Sequence, residues 1–115
     1  MKDFDIPIIK TVSDLYIQFH EYRKLVPKHD RFTIYERSEA ILLQILENLF
    51  EAGYLGKSQK LPLLEQASIK LNVFRFLVRT MKETRTLDMK KYQVLQQKID
   101  ELGRMLGGWI RSTKG

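Results

Sequence analysis

Residues 60–83 read KLPLLEQASIKLNVFRFLVRTMKE, and their apolar side chains recur with the period of an α-helix. The repeat runs at spacings of three and four through Leu64, Ala67, Leu71, Phe74, Val78 and Met81. It predicts one long amphipathic helix that buries a single stripe and closes near Thr86. We expect Pro62 in the first turn of this helix, where a missing backbone N–H breaks no hydrogen bond.

Three further segments of the chain show the same periodicity. One is predicted over residues 11–26 and ends at Pro27, because proline disfavours helix at the residue before it. A second follows Thr33, a candidate N-cap that forms a capping-box pattern with Glu36. The last follows Asp88, another candidate N-cap.

Four amphipathic helices with short connections predict an all-α fold, an up-down antiparallel four-helix bundle. We place the bundle at residues 11–113, after a short extended arm at residues 1–10. A chain of 115 residues is long enough for one core. The absence of cysteine, of a secretory signal pattern and of a long apolar run favours a cytoplasmic location.

Residues 102–111, LGRMLGGWIR, contain three glycines, yet the apolar repeat stays in register through them. The last helix is therefore expected to continue past Gly103. Gly103 and Gly107 lie on one flank of the stripe, where bare backbone lets a neighbouring helix approach closely. Trp109 lies on the other flank and is expected to cover the end of the bundle. Gly108 points to the polar side, and packing within one bundle does not account for it.

Positive charge belongs to the second half of the chain, since residues 57–86 carry a net +5 and residues 87–115 a net +3, whereas residues 1–56 carry a net −2, which gives +6 for the whole chain. Arg75, Arg79 and Lys82 form one stripe on the third helix, which suits a phosphate backbone or an acidic partner. The alternative is a solvated face on which Glu83 balances Arg79. The other candidate contact residues are Arg31, Arg37, Arg104 and Arg111. Because most aromatic residues fall on core stripes, nucleic acid would be contacted mainly at its phosphates.

In chain order, the second predicted helix follows Thr33 and the third covers residues 60–83. These two helices carry more apolar surface than one bundle needs. Leu43 and Phe50 lie opposite the inward stripe of helix two, and Ile69, Val73 and Phe76 lie away from that of helix three. Exposed apolar clusters usually mark a protein interface, so they predict self-association into a ring. The alternative is core packing at a wide angle.

Signals for catalysis are weak. His20 and His29 do not have the spacing that places two metal ligands on one helix face, and no phosphate-binding loop or nucleophile elbow is present in the sequence. We therefore predict that the protein is not an enzyme and has neither a cofactor nor a metal site. An enzyme or metal protein using the bundle core is the least favoured alternative.

Three segments together resemble the Avd proteins, the accessory variability determinants of diversity-generating retroelements. They are PKHDRFTIYERSEAILLQILENLFEAGY, KLPLLEQASIKLNVFRFLVRTMKE and LDMKKYQVLQQKIDELGRMLGGWIRS. The resemblance covers about residues 11–113, and it departs at Tyr35, where related sequences often have glycine. It implies a homopentameric barrel of four-helix bundles without catalytic activity, bound to the retroelement reverse transcriptase and to RNA or DNA. By analogy it marks as contact residues Arg31, Arg37, Arg75, Arg79 and Arg104.

The wider four-helix-bundle family to which Avd proteins belong includes the ribosomal-RNA intervening-sequence proteins. A generic bundle of this type, with an RNA-binding or scaffold role, is the alternative function. The genomic neighbourhood separates the two, because a retroelement brings a reverse-transcriptase gene with a template and a variable repeat.

Overall fold

The computed structural model describes residues 5–115, which form four long α-helices and, within that range, no β-strand. The helices are α1 (Asp5–Tyr22), α2 (Glu36–Ala52), α3 (Lys57–Glu83) and α4 (Met89–Lys114). α1 packs against α2 and α4, and α3 packs against the same two helices, so successive helices are neighbours. The all-α, antiparallel four-helix architecture predicted from the sequence is confirmed.

The core lies on the predicted stripes. All six apolar positions of the α3 repeat are buried, and Trp109 near the end of α4 is only 4% exposed. The Nζ atom of Lys60, itself 5% exposed, lies 5.3 Å from the centre of the Trp109 ring. Trp109 therefore covers the end of the bundle as predicted, under a cation that packs on the ring face.

The prediction of an extended arm over residues 1–10 is wrong for residues 5–10, which belong to α1. Ile8 is only 2% exposed and extends the stripe of α1 by one turn towards the N-terminus. Pro7 is tolerated because it lies in the first turn, where its backbone nitrogen has no carbonyl partner to lose. Residues 1–4 lie outside the described residues.

The connection from α1 to α2 is largely helical, and Thr33 does not cap α2. After Pro27 the chain becomes helical at Lys28–Asp30 and continues through a π-helical turn, Arg31–Tyr35, directly into α2. The Thr33 hydroxyl instead donates to the carbonyl oxygen of His29 at 3.1 Å. The capping-box prediction is therefore wrong, because helical backbone already precedes Thr33.

Tyr35, the residue that departs from the Avd pattern, anchors this connection in the core. Its ring is fully buried and stacks on Phe19 with centroids 4.0 Å apart, and its hydroxyl donates to the Phe19 carbonyl oxygen. Burial raises the pKa of the Tyr35 hydroxyl far above its ordinary value, so it remains a donor.

The ends of the two longest helices differ in how well the sequence predicts them. α3 starts at Lys57 after an extended Gly56, which puts Pro62 in the second turn rather than the first. The carbonyl that Pro62 leaves without a helical donor is that of Ser58, an exposed residue that water can reach.

Asp88 caps α4 as predicted, accepting from the backbone N–H of Lys91 at 2.8 Å. Hydrogen bonds from Lys91 lower the pKa of the Asp88 carboxyl.

Within the described part of the chain, no helix combines the length and the apolar character that crossing a membrane requires.

Candidate functional site

The two most basic segments of the sequence form two helices that are neighbours in the bundle. Residues 57–115 carry a net charge of +8 and form α3 and α4, which pack against each other. The first 56 residues carry a net −2. The excess of positive charge in the sequence therefore belongs to α3 and α4, and we call the side of the bundle that these two helices form the basic face.

Arg75 on this face is held by the neighbouring helix. Its Nη1 atom donates to Oδ1 of Asp100 at 2.9 Å, and 36% of its side chain is exposed. A Cβ atom placed on Gly103 would lie 3.1 Å from Nη2 of Arg75 and 3.7 Å from the Leu71 side chain. Gly103 thus gives α3 side chains room to lie against α4, as its spacing predicted.

Arg79 and Lys82 behave differently from each other. Arg79 is exposed, and its guanidinium makes no hydrogen bond or ion pair with any residue in the described range. Glu83, considered as a partner for Arg79, lies 3.6 Å from Nζ of Lys82 instead. Lys82 also lies over the Tyr92 ring at 4.8 Å. Of the three basic residues in the stripe, Arg79 is the one available to an outside anion.

A groove of about 300 Å³ runs between α3 and α4 beside these residues. Its lining consists of Asn72, Arg75, Phe76, Arg79, Tyr92 and Gln96. The sequence did not mark Asn72, Tyr92 or Gln96 as site residues. Periodicity gives the face of each helix, whereas the groove also depends on which turn of α3 lies beside which turn of α4.

Arg31 and Arg37 lie at the end of the bundle, away from the middle of the basic face. The Arg31 guanidinium donates to the carbonyl oxygens of Val26 and Lys24 at 3.0 and 2.9 Å, which ties the connection between α1 and α2 together. Arg37 is exposed, and the nearby carboxylate of Glu39 pairs with other side chains.

A cleft of about 420 Å³ beside Arg31 was not predicted. Arg23 lies over the ring of Phe32 at 5.0 Å, and Phe32 is 62% exposed. The sequence offered only a weak signal for this contact. Arg23 directly follows α1 and Phe32 lies in the π-helical turn, so the packing of these two segments sets the distance between the side chains.

Arg104 and Arg111 lie on α4 towards the opposite end of the bundle, and both are exposed. A Cβ on Gly107 would lie 3.3 Å from Nη1 of Arg111, and one on Gly108 would lie 3.9 Å from Nη2. The expectation that Gly107 faces a neighbouring helix is therefore not met within this chain, since its nearest neighbour is a side chain of α4. The predicted basic residues thus fall in three places, of which only the Arg75 stripe borders the groove.

The apolar residues predicted for self-association are all exposed, between 39% for Leu43 and 65% for Phe76. On α3 the side chains of Ile69, Val73 and Phe76 form a strip that we call the apolar ridge. Phe50 borders a different feature, a shallow hollow of about 450 Å³ between α1 and α2, which we call the α1–α2 hollow. It is lined by Ile9, Ser13, Leu46, Glu47, Phe50 and Glu51.

The fold defines the class, a four-helix bundle in which the two helices rich in Lys and Arg are neighbours and α3 carries an exposed apolar ridge. The family model described as bAvd-like matches residues 7–113, and the chain therefore belongs to the bAvd-like family. Comparison with curated proteins and with solved structures finds no significant match.

Proposed function

We propose that this protein is a non-enzymatic accessory subunit of a diversity-generating retroelement. It binds the reverse transcriptase and nucleic acid through the basic face and supports mutagenic reverse transcription. Membership of the bAvd-like family supports the accessory role. The observation that carries the binding surface is Arg79, an exposed guanidinium that has no ion-pair partner within residues 5–115 and lies beside the groove between α3 and α4.

Arg79 is a better anion-binding group than its neighbours on the stripe. A guanidinium can donate two parallel hydrogen bonds to a phosphate or a carboxylate. The Arg75 guanidinium already donates a hydrogen bond to Asp100, and Lys82 interacts with Glu83 and Tyr92. Arg79 can accept an external anion without breaking a contact within the described chain.

The experiment is a comparison of two charge reversals that change the net charge equally. Arg79→Glu alters the basic face, whereas Lys10→Glu alters an exposed residue of α1 that pairs with Asp14. We expect Arg79→Glu to weaken binding of template RNA, measured by fluorescence anisotropy at fixed salt, by about tenfold or more. Lys10→Glu is expected to have a much smaller effect. Equal effects of the two variants would show that binding follows net charge and would reject the basic face as the site.

The reverse transcriptase is tested in the same way by co-purification with each variant. Loss of the enzyme with Arg79→Glu, but not with Lys10→Glu, supports an accessory role at this surface. Binding of structured ribosomal RNA with no association with the reverse transcriptase would favour the intervening-sequence type of function instead.

We propose that the chain assembles into a ring, a homopentamer, by contact of the apolar ridge of one copy with the α1–α2 hollow of the next. The ridge lies on a segment with a net charge of +5, residues 57–86, and α2 lies in a segment with a net charge of −3, residues 33–56. Glu47 and Glu51 line the hollow, and Lys70 lies beside the ridge in sequence. Apolar contact and opposite charge thus favour joining two different surfaces, which generates rings.

Two variants distinguish this arrangement from contact between identical surfaces. Val73→Glu places a charge on the ridge and Phe50→Glu places one beside the hollow, and each alone is expected to give monomers by light scattering. A mixture of the two is expected to give dimers, because one intact ridge can still meet one intact hollow. A mixture that remains monomeric would contradict the ridge-to-hollow contact.

A further inference from the structure

The groove between α3 and α4 contains a donor and an acceptor that are held in place but not used. Oδ1 of Asp100 accepts from Nη1 of Arg75 at 2.9 Å and from Nε2 of Gln96 at 3.0 Å. These two bonds orient the guanidinium and the amide. Nε of Arg75 and Oε1 of Gln96 are then left buried, with no hydrogen-bond partner in the described part of the chain.

Such atoms are unusual, because nearly all buried polar atoms in folded proteins have a partner. Here one is a donor and the other an acceptor, and both side chains line the same groove. A ligand that offers both an acceptor and a donor to this side of the groove would satisfy both atoms.

The remaining walls of the groove are suited to a flat ring. Tyr92 of α4 supplies an aromatic ring, Asn72 adds an amide, and Arg79 adds a cation. Phe76 also borders the groove, but it belongs to the apolar ridge that we propose contacts the next copy. A volume of about 300 Å³ is at the lower end of pockets that hold small organic groups. The Asp100 carboxylate beside the two unused atoms opposes entry of a phosphate there.

We propose that this groove binds one unpaired nucleobase of a single-stranded nucleic acid. The base edge hydrogen-bonds to Arg75 and Gln96, the Tyr92 ring contacts the face of the base, and Arg79 binds a flanking phosphate. The pairing edge of each base presents donors and acceptors side by side, and it is free only when the base is unpaired. This inference rests on the proposed function and narrows it, since the protein then contacts a base as well as the phosphates.

The test uses the full chain and two RNA probes of about ten nucleotides, a length typical of one single-strand site. One probe is an ordinary single strand, and the other carries abasic residues at its central positions, so both have the same phosphates. We expect the ordinary strand to bind at least about fivefold more tightly, which is the smaller end of the effect of one stacked base.

Variants assign that preference to the groove. Gln96→Leu removes the acceptor and is expected to reduce the preference for the ordinary strand by about threefold or more. Gln97→Leu, the same change at an exposed neighbour, is the matched control and should leave the preference intact. Tyr92→Leu removes one ring while keeping an apolar side chain, and it should also reduce the preference. It provides an independent test if Gln96→Leu does not fold.

The outcomes separate this inference from the proposed function. If both probes bind equally and neither groove variant changes that, the base site is wrong while binding through the basic face stands. If neither probe binds while template RNA and the reverse transcriptase still do, the base site is wrong and the proposed function stands. If template RNA and the reverse transcriptase also fail to bind, both proposals fail. If Gln96→Leu weakens only the association with the reverse transcriptase, the groove holds a protein segment and the base site is likewise overturned.

Discussion

Replacing Gly103 by alanine separates the stability of the bundle from the geometry of the basic face. The added Cβ atom would lie 3.1 Å from Nη2 of Arg75, closer than ordinary van der Waals contact. The atom that must move is the tip of a flexible side chain, so a shift of a few tenths of an ångström relieves the contact. That shift acts directly on the hydrogen bond from Arg75 to Asp100, which is 2.9 Å long.

The two contributions to stability oppose each other. Alanine is favoured over glycine in a helix interior by roughly 0.5–1 kcal/mol, because it loses less backbone entropy on folding. Weakening a partly exposed ion pair such as Arg75–Asp100 costs about 0.2–1 kcal/mol. We therefore expect the free energy of unfolding of Gly103→Ala to change by less than about 1 kcal/mol, a shift of a few degrees in Tm.

Binding should change more than stability. Displacing Arg75 also disturbs Gln96, which shares the Asp100 oxygen, so affinity for single-stranded RNA is expected to fall by about two- to tenfold. Thermal unfolding followed by circular dichroism gives the first quantity, and fluorescence anisotropy gives the second. Gly108→Ala is the control, because its Cβ would meet Arg111 at an ordinary 3.9 Å, and it should leave RNA affinity unchanged.

Two results would refute this reasoning. A loss of more than about 2 kcal/mol in Gly103→Ala would mean that the rest of α3, and not a movable side chain, limits the space at this position. Unchanged RNA affinity in a folded Gly103→Ala protein would mean that the position of Arg75 does not matter for binding.

Two further predictions concern stability. Tyr35→Phe keeps the ring stacked on Phe19 but removes the hydrogen bond of the buried hydroxyl. It should lower the free energy of unfolding, measured by urea titration, by about 1 kcal/mol. An unchanged free energy of unfolding would mean that this hydrogen bond is not formed in solution. Asp88→Ala removes the cap of α4 and should destabilise the protein at neutral pH. Because the pKa of Asp88 is lower in the folded chain than in the unfolded one, its contribution is fully present above the unfolded value and is lost as the pH falls through the folded value. The difference between wild type and Asp88→Ala should therefore narrow in acid, and a constant difference would contradict the role of the carboxylate.

The fold could be predicted from the sequence wherever a local signal and the apolar repeat agree. The stripe of α3 and the Asp88 cap are such cases, since each depends on residues within a few turns of one another. Helix ends were predicted less well, because they depend on packing against residues that are distant in the sequence. The start of α1 follows the burial of Ile8, and the backbone at Thr33 follows the burial of Tyr35.

The candidate site could be predicted only in part for a related reason. The spacing of Arg75, Arg79 and Lys82 placed them on one face, and the structure agrees with that. Spacing carries no information about the register between α3 and α4, which brings Asp100 to Arg75 and leaves Arg79 free of such a partner in the described chain. The division of roles within the stripe, and the groove beside it, therefore required the packed helices.

The central claim is that the basic face joins this protein to a reverse transcriptase and its RNA. The most direct test is the mass, by native mass spectrometry, of the assembly formed when the chain is mixed with the reverse transcriptase and template RNA of the same retroelement. We predict one complex that contains several copies of this chain, that survives Lys10→Glu and that is lost with Arg79→Glu. A reverse transcriptase and RNA that associate without this chain, or a complex that is unchanged by Arg79→Glu, would contradict the account.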